Sequence, residues 1–176
     1  MSFRLRVPAP RSLAVSLTAC TFLLGSAISP AHADTSDGGT YTIRNMNSGK
    51  CLEVADWSQS WGAQVRQWDC TGGANQKWVK VYDTSGGMYY RNVNSGACLE
   101  IAGAHSDYNG APADQWQCNY GSNQQWLDAS SGIIPSMIGY KKCLEIGGWS
   151  MDNGAPADIW DCGNNQANQR WTLQRA

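Results

Sequence analysis

Three glutamates, Glu53, Glu100 and Glu145, each stand two residues after a cysteine. Three tryptophans, Trp68, Trp116 and Trp160, each stand two residues before another. A carboxylate accepts hydrogen bonds, and two of them at a set separation can cleave glycosidic bonds. An indole offers a broad flat apolar face. Cysteines pair or ligate metal. Metal is the poorer reading: beyond residue 33 there is no Cys-x-x-Cys and a single histidine, His105. No zinc site is expected, and no other metal or cofactor is called for. Nucleophilic catalysis is equally ill equipped, with one imidazole, cysteines expected to be oxidised and no Gly-x-Ser-x-Gly. An active site needs one asymmetric constellation, whereas the same acid recurs here three times. Repetition points to repeated binding pockets, and the chain is read as non-enzymatic.

The residues recur because the chain repeats. Cys51-Leu52-Glu53-Val54, Cys98-Leu99-Glu100-Ile101 and Cys143-Leu144-Glu145-Ile146 open three units. Each continues to a Trp-x-Cys (Trp68 to Cys70, Trp116 to Cys118, Trp160 to Cys162) and an Asn-Gln-x-Trp (Asn75 to Trp78, Asn123 to Trp126, Asn168 to Trp171). Units one and two share a lead-in, Arg44-Asn45-Met46-Asn47-Ser48-Gly49 and Arg91-Asn92-Val93-Asn94-Ser95-Gly96. The third has Met137 to Lys142 there, so its first turn must differ. The units are bounded as 40–86, 87–131 and 132–176. Six cysteines allow 15 pairings, but equivalent positions should pair alike. That selects Cys51–Cys70, Cys98–Cys118 and Cys143–Cys162.

The N-terminus is read separately. Arg4, Arg6 and Arg11 precede a mostly apolar run from Leu13 to Ser29, then Ala31-His32-Ala33. This is the layout of a secretory signal peptide, residues 1–33, cut after Ala33. The protein is then expected outside the cell, with no membrane attachment after cleavage. A minor alternative is a lipoprotein acylated at Cys20, since Leu17-Thr18-Ala19-Cys20 resembles a lipobox. Residues 34–39 form a short tail before the domain, 40–176. Residues 34–176 carry ten Lys and Arg against fourteen Asp and Glu, a formal charge of −4. Nothing basic marks a phosphate-binding surface, so nucleic acid is not an expected partner.

Leu, Ile, Val and Phe supply only 17 of those 143 residues, a fraction usual for disorder. All nine tryptophans lie among them, however, and each can bury roughly 150–250 Å². Short runs such as Tyr41-Thr42-Ile43 and Lys77 to Val81 are β-prone and split by Asn, Gly, Ser and Asp. No segment holds a helical apolar period. The expectation is an all-β domain of about four short strands per unit. Three units around a pseudo-threefold axis would give about twelve strands in a closed or nearly closed barrel.

Three copies of Cys-Leu-acid, Trp-x-Cys and Gln-x-Trp resemble the ricin B-chain-type lectin domain, a β-trefoil, from Thr40 to Ala176. The units are also similar to domains of secreted actinobacterial proteins. The resemblance implies a carbohydrate partner, a glycan or polysaccharide, bound in shallow pockets. It implies that the Gln-x-Trp pairs build the core. In each pocket an acid would accept hydrogen bonds from hydroxyls: Glu53, Glu100, Glu145. An aromatic would stack on the sugar face: Trp68, Trp116, Trp160. An asparagine would add a hydrogen bond: Asn75, Asn123, Asn168.

The chain departs from the family pattern at two places. Glu stands where Asp is usual. The usual Gln two before the stacking aromatic is replaced by Arg66, Asp114 and Asp158. Arg66 can pair with Glu53 and leave unit one without a free site. Units two and three bring acids together, Glu100 with Asp114 and Glu145 with Asp158, which favours hydroxyl-rich or amino sugars over anionic ones. The loops between the two motifs add Trp57 and Trp61, His105 and Tyr108, and Trp149 as further stacking candidates. The alternative readings are a secreted β-trefoil protein ligand, such as a protease inhibitor, and a scaffold with decayed sugar sites.

Overall fold

The computed structural model describes residues 38–84, 86–103, 107–127, 131–139 and 141–176. The expected signal peptide, the lipobox cysteine Cys20 and His105 lie outside the described residues.

Period-two alternation shapes the strands that carry the pocket residues. In Ala111–Trp116 the residues Ala111, Ala113 and Gln115 are buried, whereas Pro112, Asp114 and Trp116 face outward. Ala63–Trp68 and Ala157–Asp161 repeat the pattern, with Arg66 and Trp68, then Asp158 and Trp160, on the outer side. Side chains two apart share one face of a strand, so an indole and the residue two before it point the same way.

Among the described residues ten strands form: β1 (Thr40–Asn45), β2 (Cys51–Val54), β3 (Ala63–Trp68), β4 (Lys77–Tyr82), β5 (Met88–Asn92), β6 (Cys98–Ile101), β7 (Ala111–Trp116), β8 (Lys142–Ile146), β9 (Ala157–Asp161) and β10 (Trp171–Arg175). The expectation was about twelve. Where a fourth strand of unit two and a first strand of unit three would lie, the described residues show isolated bridges. These are Met88 with Trp126, Trp126 with Ser136, Ile133 with Arg170, and Pro135 with Cys143. Pro135 has no N–H for a ladder, which limits regular pairing there.

The strands play two roles. β1 pairs with β4 and with β10, the last strand, while β4 pairs with β5. The hairpins β2–β3, β6–β7 and β8–β9 form a second group. They meet one another in a ring, β3 against β7, β7 against β9, and Arg66 of β3 bridging to Pro156 before β9. The disulfides Cys51–Cys70, Cys98–Cys118 and Cys143–Cys162 close within the units, with Cα separations of 5.1, 5.0 and 5.1 Å.

The core is built from the repeat. Trp78, Trp126 and Trp171 are buried, and each Nε1–H donates to the carbonyl of the leucine in its own Cys-Leu-Glu: Leu52 (3.0 Å), Leu99 (3.3 Å) and Leu144 (2.9 Å). A buried indole N–H needs such a partner. Around them pack Ile43, Val54, Val65, Tyr90, Ile101, Ile134, Ile146 and Ile159. The low aliphatic content is offset by these large rings.

The shared lead-in has a structural role. Asn45 and Asn92 are buried, accept from the turn N–H groups of residues 47 and 94, and donate to the carbonyls of Asn168 and Asn75. Ser48 and Ser95 each donate to a buried glutamine, Gln67 and Gln115. Each glutamine in turn holds a loop of another unit, Gln67 through Ser150 and Asp152, Gln115 through Ser58 and Ser60. The third unit has Tyr140 and Ile159 at the serine and glutamine positions. Losing one hydrogen-bonding partner goes with losing the other.

Candidate functional site

Each unit places its Cys-Leu-Glu strand beside its Trp-x-Cys strand in antiparallel register. Glu53 lies opposite Arg66, Glu100 opposite Asp114, and Glu145 opposite Asp158. Residues directly opposite have their side chains on one face within contact distance. A cavity opens beside each of the three glutamates.

The glutamates form the floors. All three are buried, and one oxygen of each is committed to the framework. Glu53 Oε2 accepts from Gln76 Nε2 at 3.0 Å, Glu100 Oε2 from Gln124 at 2.8 Å, and Glu145 Oε2 from Gln169 at 2.7 Å. The same amides donate to the carbonyls of Asp69, Gln117 and Asp161, and their oxygens accept from the N–H groups of Thr71, Asn119 and Gly163. The Gln-x-Trp glutamine therefore ties the floor acid to the loop after Trp-x-Cys. That connection between core motif and pocket is absent from the sequence reading.

The first cavity, 230 Å³, is lined by Glu53, Asp56, Trp57, Arg66, Trp68, Thr71 and Asn75. Arg66 is part of that lining and bridges its acidic and aromatic sides. Nε donates to Glu53 Oε1 at 3.0 Å, Nη2 to Asp56 Oδ1 at 2.9 Å, and the guanidinium lies 4.6 Å from the centroid of Trp68. The acid and the indole of this unit are thus both engaged by one side chain.

The second cavity, 310 Å³, gathers Glu100, Gly103, Asp114, Trp116, Asn119 and Asn123. All four sequence-derived residues of the unit come together there. The third, 280 Å³, is lined by Glu145, Gly148, Trp149, Trp160 and Gln166. Asp158 and Asn168 lie outside that lining: Asp158 stands opposite Glu145, with its carboxyl against Gly147. Trp116 and Trp160 are 40% and 44% exposed, so each indole has surface to offer.

Charge distinguishes these pockets from the first. Burial, and then repulsion from Glu100, pushes the Asp114 carboxyl up to about 7. Asp158 is pushed up to about 7 by burial and by Glu145. Burial also raises Glu100 and Glu145, opposed by the hydrogen bonds of Gln124 and Asn123, and of Gln169 and Asn168. Oδ1 of Asp114 and Oδ1 of Asp158 are buried with no hydrogen-bond partner among the described residues. Two carboxyl groups crowded out of water favour holding a proton.

The asparagines sit deeper than the sequence suggests. Asn75, Asn123 and Asn168 are almost fully buried and donate to the carbonyls of Val54 (3.1 Å), Ile101 (3.2 Å) and Ile146 (3.2 Å). Asn75 also donates to Glu53 Oε2. They anchor the loop that precedes each Gln-x-Trp.

The loop aromatics divide. Trp57 and Trp149 line the cavities of their own units, and both have left-handed backbones, with φ of 56° and 57°. That conformation is uncommon for a bulky residue and carries strain. Trp61 instead lies against a different unit, its ring centroid 5.7 Å from that of Trp116. Tyr108 is exposed and lines none of the three cavities. A larger hollow of 480 Å³ beside Leu127, Pro135 and Met137 has neither an indole nor a carboxylate in its lining.

This arrangement is shared with known proteins. The family model described as ricin-type β-trefoil lectin domain matches residues 86–176, more than half of the chain, and a second model, ricin-type β-trefoil lectin domain-like, matches residues 28–92. The chain belongs to the ricin-type β-trefoil lectin domain family. Among solved structures it is similar to ThreeFoil, a designed protein of threefold symmetry. That likeness has 31% identity and a TM-score of 0.69, over 77% of this chain and 97% of that one. It is also similar to an exo-β-1,3-galactanase from Clostridium thermocellum, at 32% identity and a TM-score of 0.71. That match covers 80% of this chain but 31% of the galactanase. A 40-residue stretch is 42% identical to serine protease 1 of Rarobacter faecitabidus, covering 23% of this chain and 7% of that protein.

Proposed function

We propose that the protein is a secreted, non-catalytic carbohydrate-binding lectin whose second and third pockets each take a sugar unit of a glycan or polysaccharide. The observation that carries the reading is the contrast between pockets. In the second and third, a half-exposed indole stands beside a buried Glu that faces a half-buried Asp. In the first, Arg66 already occupies both the acid and the indole. An indole covers the apolar face of a sugar, while the carboxyl oxygens of the Glu–Asp pair accept hydrogen bonds from its hydroxyls. The roles proposed are acceptor for Glu100, Asp114, Glu145 and Asp158, and stacking for Trp116 and Trp160. Asn123 and Asn168 position the pocket loops, and Glu53, Trp68 and Asn75 form a site closed by Arg66. Decay of a sugar site is thus specific to unit one.

The absence of catalysis rests on the same geometry. Glycosidase carboxylates flank the bond they break, whereas each pair here sits side by side on neighbouring strands. The galactanase that this chain resembles also contains much more chain than the matching part. Its substrate makes galactans the first probe, followed by xylan and arabinan.

We propose the domain as 40–176, with residues 1–33 as a signal peptide and 34–39 as a tail. Three disulfides within one chain suit an oxidising compartment. No helix among the described residues is long and apolar enough to cross a membrane.

The test is retention of the secreted protein on immobilised galactan, xylan and arabinan, beside Trp116→Ala and Trp160→Ala. Each variant should weaken retention, and both together should abolish it. Uniform absence of glycan binding by the unmodified protein would overturn the lectin reading.

A further inference from the structure

Three positions change together at the second pocket. Next to the first pocket, Lys50, Asp69 and Asn153 make a polar clasp between units. Lys50 Nζ pairs with Asp69 Oδ1, Asn153 Nδ2 donates to Asp69 Oδ2 at 2.8 Å, and the Asp69 N–H donates to Asn153 Oδ1 at 3.0 Å. The third pocket has the same clasp in Lys142, Asp161 and Asn109. Lys142 Nζ lies 2.6 Å from Asp161 Oδ1, Asn109 Nδ2 donates to Asp161 Oδ2 at 3.0 Å, and the Asp161 N–H donates to Asn109 Oδ1 at 2.9 Å. At the second pocket the corresponding residues are Ala97, Gln117 and Trp61. Lysine, aspartate and asparagine have all been replaced, the last by an indole.

The backbone at this seam is otherwise conserved in form. A glycine follows the clasp asparagine or its replacement in every case. A Cβ on Gly154, Gly110 or Gly62 would lie 3.7, 3.7 and 3.6 Å from Cζ3 of Trp68, Trp160 and Trp116 respectively. The loop carrying Trp61 is held firmly. Gln115 Nε2 donates to the carbonyls of Ser58 and Ser60, and the Gly62 N–H donates to the Gln115 carbonyl at 2.7 Å. Trp61 therefore projects from a backbone fixed on both sides. Its ring plane is tilted 40° from that of Trp116, and it is 57% exposed. It lies beyond the lining of the 310 Å³ cavity. The other two units close the seam with polar groups, so an exposed indole pair is not needed for closure, and apolar surface left in water has a cost.

We infer that Trp61 extends the second site, giving a second stacking position beside Trp116 so that this site binds two consecutive sugar units of one chain. The first and third sites end at their clasps. Two indoles set at 40° match rings that twist relative to each other along a glycosidic chain better than a flat platform would. This inference rests on the carbohydrate reading above and adds to it the length of ligand and a residue supplied by a neighbouring unit.

The experiment is calorimetric titration of the full secreted protein carrying Trp160→Ala, which leaves the second site to be measured. The probes are galacto-, xylo- and arabino-oligosaccharides of one to four units. Affinity should rise about tenfold from one unit to two, the effect of one added aromatic stack. Trp61→Ala should remove that rise, lowering affinity for two units by more than it lowers affinity for one. The pair Trp61→Asn with Gln117→Asp, which rebuilds the acid and amide of the other clasps, should do the same. The inference is overturned if there is no rise with length, if the rise survives both Trp61 variants, or if monosaccharide binding falls equally. Absence of binding by every probe, in the protein with Trp160 intact as well, sinks the lectin reading and this inference with it.

Discussion

Arg66 shows how much one side chain can change a pocket. Its two donors and its flat cation engage Glu53, Asp56 and Trp68 at once. The aspartates at the same position in the other units reverse the local charge and bring a titration into the neutral range. Asp114 and Asp158 are held up at about 7, first by burial and then by Glu100 and Glu145, against an ordinary value of 3.8. A carboxyl that binds its proton more tightly when folded stabilises the fold while protonated. That contribution is complete below about pH 4 and is lost as pH rises through about 7. Asp69 and Asp161, lowered by their lysine and asparagine partners, act in the opposite sense and lose their contribution on acidification. Thermal unfolding followed by circular dichroism should therefore show Tm falling from pH 5 to pH 8. Asp114→Asn with Asp158→Asn should flatten that slope and raise Tm at pH 8. An unchanged slope would mean that these carboxyls do not titrate as the pocket geometry requires.

At the scale of the element, the Gln-x-Trp segment does two jobs at once. Its indole hydrogen-bonds the Cys-Leu-Glu strand within the core, while its glutamine holds the floor acid and the following loop. Gln124→Ala would remove a donor to Glu100 Oε2 and an acceptor for the N–H groups of Asn119 and Tyr120. Leaving buried polar groups unpaired should cost about 2–4 kcal/mol in denaturant unfolding. Gln117→Ala, at an exposed position seven residues earlier, should cost less than about 0.5 kcal/mol. Similar losses at the two positions would contradict the framework role of Gln124. The hairpin strands work by alternation: Ala113 and Gln115 turn inward so that Asp114 and Trp116 turn outward together.

Across the whole molecule, the hairpins are joined in a ring, so each unit completes its neighbour. Gln115 of unit two holds the loop of unit one, and Gln67 of unit one holds the loop of unit three. Two open pockets on one rigid body should act together on a polymer. Trp116→Ala or Trp160→Ala alone is expected to lower affinity for a soluble monosaccharide modestly. On an immobilised polysaccharide, the loss of either should be far larger, because avidity can exceed a single-site affinity by about 10²–10⁴. Surface plasmon resonance on polysaccharide and on monosaccharide-coated chips would show it. Equal losses on both surfaces would place binding at one site.

The all-β class, the threefold unit and all three disulfide pairs were legible in the sequence, because each motif occurs three times at nearly constant spacing and equivalent residues meet equivalent partners. The low aliphatic content was also interpretable once the nine tryptophans were counted. Other features depended on tertiary structure. Pro135 and its neighbours form bridges rather than the expected strands, since pairing depends on a partner and on available N–H groups. The asparagines before each Gln-x-Trp look like ligand groups in one dimension, yet their depth is set by the loops folded over them. Trp61 is the clearest case. Its sequence neighbours assign it to unit one, but the ring of hairpins carries it to Trp116 of unit two. A repeat read along the chain shows what each unit contains, and only closure of the three around one axis decides which side chains share a pocket.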